Sequence, residues 1–115
     1  MGKESKLTQA MWKSMEALHN AGGTYDALAA HANKKVSDPA KAPEFVKEFQ
    51  RLHNKLLGEL SEVEKANREL RKEVDAAKKA GDKDEANFGR GLADIVDESF
   101  RRMKKSLEGA EFIAK

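Results

Sequence analysis

Apolar residues recur along this chain in steps of three and four, and the longest unbroken run of that rhythm lies in the middle. From Pro43 to Ala80 there is no internal proline and one glycine, Gly58. The stripe reads Phe45, Phe49, Leu52, Leu56, Leu60, Val63, Asn67, Leu70, Val74 and Ala77, which predicts an amphipathic helix over about 43–80. At ~1.5 Å per residue such a helix is roughly 55 Å long, whereas a compact globule of this chain length has a radius of gyration of only ~13 Å. An elongated or partnered molecule is therefore expected. The consecutive four-residue steps at Leu52, Leu56 and Leu60 form a stutter, which loosens a simple two-stranded coiled coil. Two starts are open for this helix: Asp38 capping with Pro39 behind it, or Pro43 followed by Glu44.

A second helix is predicted over about 82–113. Asp82 and Glu85 have capping-box spacing, and Gly81 supplies the stop for the helix before. The stripe is Phe88, Leu92, Ile95, Val96, Phe100, Met103, Leu107, Ala110 and Ile113. Acidic residues (Asp94, Asp97, Glu98) precede basic ones, an order that suits the helix dipole and allows Asp97–Arg101 and Glu98–Arg102 pairs.

The first third has two stripes, Leu7–Met11–Met15–Leu18 and Tyr25–Leu28–Ala32–Val36, on either side of Gly22-Gly23. Thr24 could cap a new helix after a break. The two stripes nevertheless stay in phase through positions 18, 22, 25, 29, 32 and 36. We therefore read one helix from about 5 to 37, its glycines allowing a close helix contact. Three helices of similar length joined by short connections predict a single all-α domain over 1–115, an elongated antiparallel three-helix bundle, coiled-coil-like and self-associating.

Composition narrows the function classes. Of 115 residues, 37% are charged, 39% are hydrophobic and 6% are aromatic, which favours a solvated helical protein over a β fold. The net charge of +2 is small for a dedicated nucleic-acid binder. The absence of cysteine removes disulfides, thiolate zinc sites and cysteine nucleophiles, and fits a reducing cytoplasm. No apolar run approaches the ~20 residues of a membrane span.

Candidate chemistry is sparse. Glu16 and His19 have the Glu-x-x-His spacing of carboxylate-bridged di-iron bundles, but no second copy follows. His31 and Lys34 echo a phosphotransfer bundle, but Lys35 stands where a small residue belongs. Asp94, Asp97 and Glu98 could form an acid–base group, yet no nucleophile or metal partner lies near them in sequence. Gly89-Arg90-Gly91 lacks phosphate-loop spacing and reads as a closely packed or frayed helix start. No enzyme and no cofactor are expected.

What remains is binding. Asn67, polar on an apolar stripe, is a candidate for setting register across a subunit seam. Trp12 and Phe112 lie off their stripes and are candidates for self-association. Arg101, Arg102, Lys104 and Lys105 are candidates for contact with anionic lipid at a membrane surface or, in a third reading, with nucleic acid. Chain length, helix order and Trp12 in the first helix resemble a spectrin-type repeat, and elongated three-helix monomers that pair are also the plan of BAR-type membrane-curving domains. Both likenesses are architectural and carry no residues. The leading expectation is a non-catalytic module that binds other protein chains, most simply itself.

Overall fold

A computed structural model describes residues 5–34 and 38–114, with side chains through Glu108. It contains three long helices, α1 (Lys6–Ala32), α2 (Ala42–Lys79) and α3 (Lys83–Ala114), with a 3₁₀ turn at Pro39–Lys41 before α2. The all-α elongated bundle is as the periodicity predicts. Its radius of gyration is 18.0 Å and its extents are 62 × 29 × 17 Å.

Local chemistry explains the boundaries. Ser5 caps α1, accepting a hydrogen bond from the Thr8 amide at 3.0 Å. Both candidate starts of the middle helix are used in sequence: Asp38 caps the 3₁₀ turn through the Ala40 amide, and Pro43 then occupies the first turn of α2. α2 ends in a Schellman motif. The Asp82 amide donates to the Ala77 carbonyl and the Gly81 amide to that of Lys78, with Gly81 at φ +91°. Only glycine adopts that conformation without strain.

Cross-helix contacts give the topology. Ser14 meets Asn67, Thr24 meets Glu59 and His31 meets Phe45, so α1 and α2 are antiparallel. Asn67 and Arg71 meet Asp97 and Asp94, so α2 and α3 are antiparallel too. Tyr25 meets Ser106 and Leu7 abuts Gly89, leaving α1 and α3 parallel. α2 is the spine: it packs on both neighbours, which touch each other least. Across its long axis the bundle measures 29 × 17 Å, wider in one direction than in the other.

On α2 the whole predicted stripe from Phe49 to Val74 is buried. On α1 the prediction needs correcting. The buried positions are Leu7, Ala10, Ser14, Ala21, Thr24, Leu28 and His31, with Ala17 packed beside them. That set keeps a regular three-four rhythm but is rotated by about one residue from the Met11–Met15–Leu18 stripe. Small side chains let α1 lie close to α2, and the larger ones are pushed to the edge. α3 departs similarly: Ala86, Ala93, Val96, Met103 and Leu107 are buried, while Phe88 and Ile95, expected inside, are 69% and 60% exposed.

α1 runs unbroken through Gly22-Gly23, so Thr24 is not a cap. A Cβ on either glycine would meet nothing within 4 Å, so they do not serve a close helix contact as expected. The close contact lies at Gly89, where a Cβ would stand 2.9 Å from Val74 Cγ2 and 3.1 Å from Leu7 Cδ1. α1 ends at Ala32, short of the predicted Ser37, and Lys35–Ser37 lie outside the described residues.

Candidate functional site

The interior has two apolar clusters. One gathers Leu28, Phe49, Leu56, Leu60, Val63, Val96 and Met103; the other gathers Leu7, Ala10, Leu70, Val74, Ala86 and Ala93. Asn67 lies between them, 3% exposed. Its Nδ2 donates to the Ala93 carbonyl at 3.1 Å and to Asp97 Oδ1 at 2.7 Å, and its Oδ1 accepts from Ser14 Oγ at 3.0 Å. Both amide protons are used and the carbonyl oxygen has a partner, so the side chain is satisfied. This corrects the expectation for Asn67: its partners belong to the same chain. It fixes the register of three helices inside the bundle rather than of two subunits across a seam.

Asp97 extends the network outward. Arg71 on α2 pairs with both Asp97 and Asp94, the latter at 2.9 Å. Hydrogen bonds to Asp97 first, then to Asp94, hold the Arg71 guanidinium above its usual pKa. Glu98 pairs with Arg102 at 2.7 Å. The three carboxylates read as a candidate acid–base group are thus all engaged by arginines.

Two histidines that the sequence pattern did not place, His31 and His53, are buried. His31 Nε2 is 2.8 Å from the Phe45 carbonyl, and its ring stacks on Phe45 at 4.5 Å. His53 stacks beside Phe49 with centroids 6.3 Å apart, and its Nε2 is buried with no hydrogen-bond partner. His19 and Glu16 are exposed on α1. Among the described residues no group of three or more His, Asp or Glu side chains is placed to hold a metal ion.

The bundle has three edges, and their chemistry differs. Between α1 and α2 runs an open trough of about 520 Å³, floored by Ala17 and Ala66 and walled by Lys13, Glu16, Glu62 and Lys65. Between α2 and α3 the Arg71 guanidinium reaches Asp94 and Asp97 across the edge, and beside it Arg68, Lys72 and Asp75 line an open depression on α2 itself. Both edges are lined by charges of both signs. The α1/α3 edge is different. The Tyr25 hydroxyl donates to Ser106 Oγ across it at 3.1 Å. Stepping back by seven residues from each places Leu18, Met11, Ser99 and Leu92 on the same edge. Met11 and Leu92 indeed pack against one core cluster. Met15 lies beside Met11 and Leu18, and Phe88 and Ile95 flank Leu92, all three at least 44% exposed.

The other predicted site residues fall as follows. Trp12 is 59% exposed on the outer shoulder of α1, next to Met15. The side chain of Phe112 lies outside the described residues. Arg101, Arg102, Lys104 and Lys105 are all exposed but do not share one narrow face. Arg101 and Lys105 are one turn apart, Arg102 turns to Glu98, and the Lys104 ammonium lies 5.7 Å from the Phe100 ring centroid.

Sequence reasoning missed the small-residue face of α1. Its signal was present in the steps Leu7, Ala10, Ser14, Ala17, Ala21, Thr24, Leu28 and His31, an even alternation of three and four. Alanine, serine and threonine weigh little on a hydrophobicity scale, so the neighbouring methionines dominated. The chain matches no known protein family, no curated protein and no solved structure closely enough to lend it a fold name or a function.

Proposed function

We infer that this protein is a non-catalytic helical module that binds other protein chains, most simply a second copy of itself, and that it works in the cytoplasm. The observation that carries this reading is a mismatch between size and burial. Trp12, Met15, Phe88 and Ile95 are exposed while Ala10, Ser14, Ala21, Ala86 and Ala93 are buried. Large apolar side chains gathered outside a core that smaller ones complete are what a partner surface requires. The absence of cysteine agrees with a reducing compartment, and among the described residues no helix is long and apolar enough to cross a membrane.

Sedimentation equilibrium from low to high micromolar concentration tests the reading. Reversible dimerisation is expected; a monomer at the highest concentration overturns it. The membrane-surface alternative needs the four basic residues of α3 on one face, and their placement around the helix favours it less.

A further inference from the structure

The three edges differ in charge as well as in packing. In a chain with 37% charged residues, the α1/α3 edge carries none over about two turns. From α1 it presents Met11, Met15 and Leu18, and from α3 Phe88, Leu92 and Ile95. Gly91, between Phe88 and Ile95, has open space where its Cβ would be. The charges resume beyond both ends of the stripe on α3, and with opposite sign. On balance its start is acidic, with Asp82, Asp84 and Glu85 around Lys83, and its end is basic, with Arg101, Arg102, Lys104 and Lys105 following Glu98.

We propose that the α1/α3 edge is the docking surface for a second copy of this chain, lying antiparallel so that the two α3 helices cross at the level of Ala93, on the side of α3 turned away from that buried residue. The proposal rests on the self-association reading above and adds to it the surface and the orientation.

Three features point to a second copy. The first is charge complementarity. A two-fold axis near Ala93 relates each residue on one protomer to one on the other, as a closed dimer requires. Asp84 and Arg102 each lie nine residues from Ala93 (93 − 84 and 102 − 93), so the axis sets the acid of one protomer against the base of the other, where it shares with Glu98 an Arg102 guanidinium that is exposed in the single chain. A parallel arrangement would instead set the basic cluster against itself. The second is shape. Gly91 and Ile95 each lie two residues from Ala93 (93 − 91 and 95 − 93), so the exposed Ile95 of one copy falls against the gap at Gly91 of the other. The third is area. Trp12 and Phe88, at 59% and 69% exposure, present roughly 250 Å² between them. Met15 and Ile95 raise this to roughly half of the ~800 Å² per partner that a stable interface buries. Two such strips side by side also complete a four-helix cross-section from the parallel α1/α3 pairs.

The test combines apolar and charge substitutions, each checked for unchanged helicity by circular dichroism and then sedimented across micromolar concentrations. Phe88→Glu and Ile95→Glu are each expected to raise the dimer dissociation constant more than tenfold. Glu62→Lys, in the α1/α2 trough, is expected to leave it unchanged. At low salt Asp84→Arg and Arg102→Asp are each expected to weaken the dimer about threefold or more, and the double variant to return it close to the starting value. A dimer that ignores Phe88→Glu and Ile95→Glu overturns this surface and leaves self-association standing elsewhere. Loss of the dimer in those variants without charge-swap recovery overturns the antiparallel orientation. A chain that stays monomeric overturns both the surface and the self-association reading.

Discussion

Ser14 Oγ donates a 3.0 Å hydrogen bond to Asn67 Oδ1, joining α1 to α2 at a point where both side chains are almost fully buried. The pair is the polar layer between two apolar clusters, and it aligns three helices at once because Asn67 also reaches Ala93 and Asp97 on α3. A shift of either neighbour along α2 breaks at least one of these bonds and strands a buried polar group, which costs about 1–3 kcal/mol. The apolar clusters alone impose no such discrimination between registers.

Asn67→Leu is therefore expected to destabilise the protein by about 2 kcal/mol, because the Ser14 hydroxyl loses its acceptor inside the core. Removing both partners should hurt less than the sum. Ser14→Ala with Asn67→Leu is expected to recover about 1 kcal/mol relative to additivity. Urea unfolding of the four proteins in the cycle measures this. Strict additivity would mean that the layer does not act as a unit.

Two glycine substitutions should have opposite signs. Gly23 is exposed in the interior of α1, and a Cβ there meets nothing within 4 Å. Gly23→Ala is expected to stabilise by about 0.5–1 kcal/mol through backbone entropy. At residue 89 the new Cβ meets the short, branched Val74 side chain at 2.9 Å, so Gly89→Ala forces the α1–α3 and α2–α3 contacts apart. Overpacking of this kind costs about 1–3 kcal/mol, which exceeds the helix-propensity gain of about 1 kcal/mol. Thermal unfolding of the two variants decides it.

These glycines also show how much the sequence made legible. α2 could be read residue by residue, since a helix buried on two sides shows its full apolar stripe. The continuity of α1 through Gly22-Gly23 could be read from phase. Its facing could not, because Met11, Met15 and Tyr25 outweigh Ala10, Ser14 and Ala21 in hydrophobicity while the close approach to α2 selects for small size. Phe88 and Ile95 posed the same difficulty on α3. Periodicity reports that a face is apolar, not whether it meets the same chain or another. The Arg71–Asp94–Asp97 cluster was illegible for a different reason: it joins residues more than twenty positions apart.

His53 is 7% exposed, and its Nε2 has no hydrogen-bond partner. An unsatisfied buried nitrogen works against folding, by about 1–3 kcal/mol in typical cases. His53→Leu keeps an apolar body beside Phe49 and removes the stranded atom. It is expected to raise stability by about 1 kcal/mol at neutral pH, measured by urea unfolding. A loss of stability would show that the imidazole stacking on Phe49 outweighs the unpaired nitrogen.

Trp12 separates folding from association. It is the chain's single tryptophan, and at 59% exposure it contributes little to the core of the isolated protomer. Trp12→Ala is therefore expected to change the unfolding free energy of the dilute monomer by no more than about 0.5 kcal/mol. Beside Met15, at the margin of the uncharged edge, the same side chain would be enclosed by a docked partner. Truncating a buried interfacial tryptophan typically costs about 2 kcal/mol of binding or more, so the variant's dimer should be at least tenfold weaker. The wild-type indole supplies an independent readout: its emission should move to shorter wavelength, and iodide quenching should fall, as concentration rises through the dimerisation range. If stability drops while dimerisation is untouched, Trp12 belongs to the fold. If dimerisation drops while stability is untouched, its exposure serves a partner.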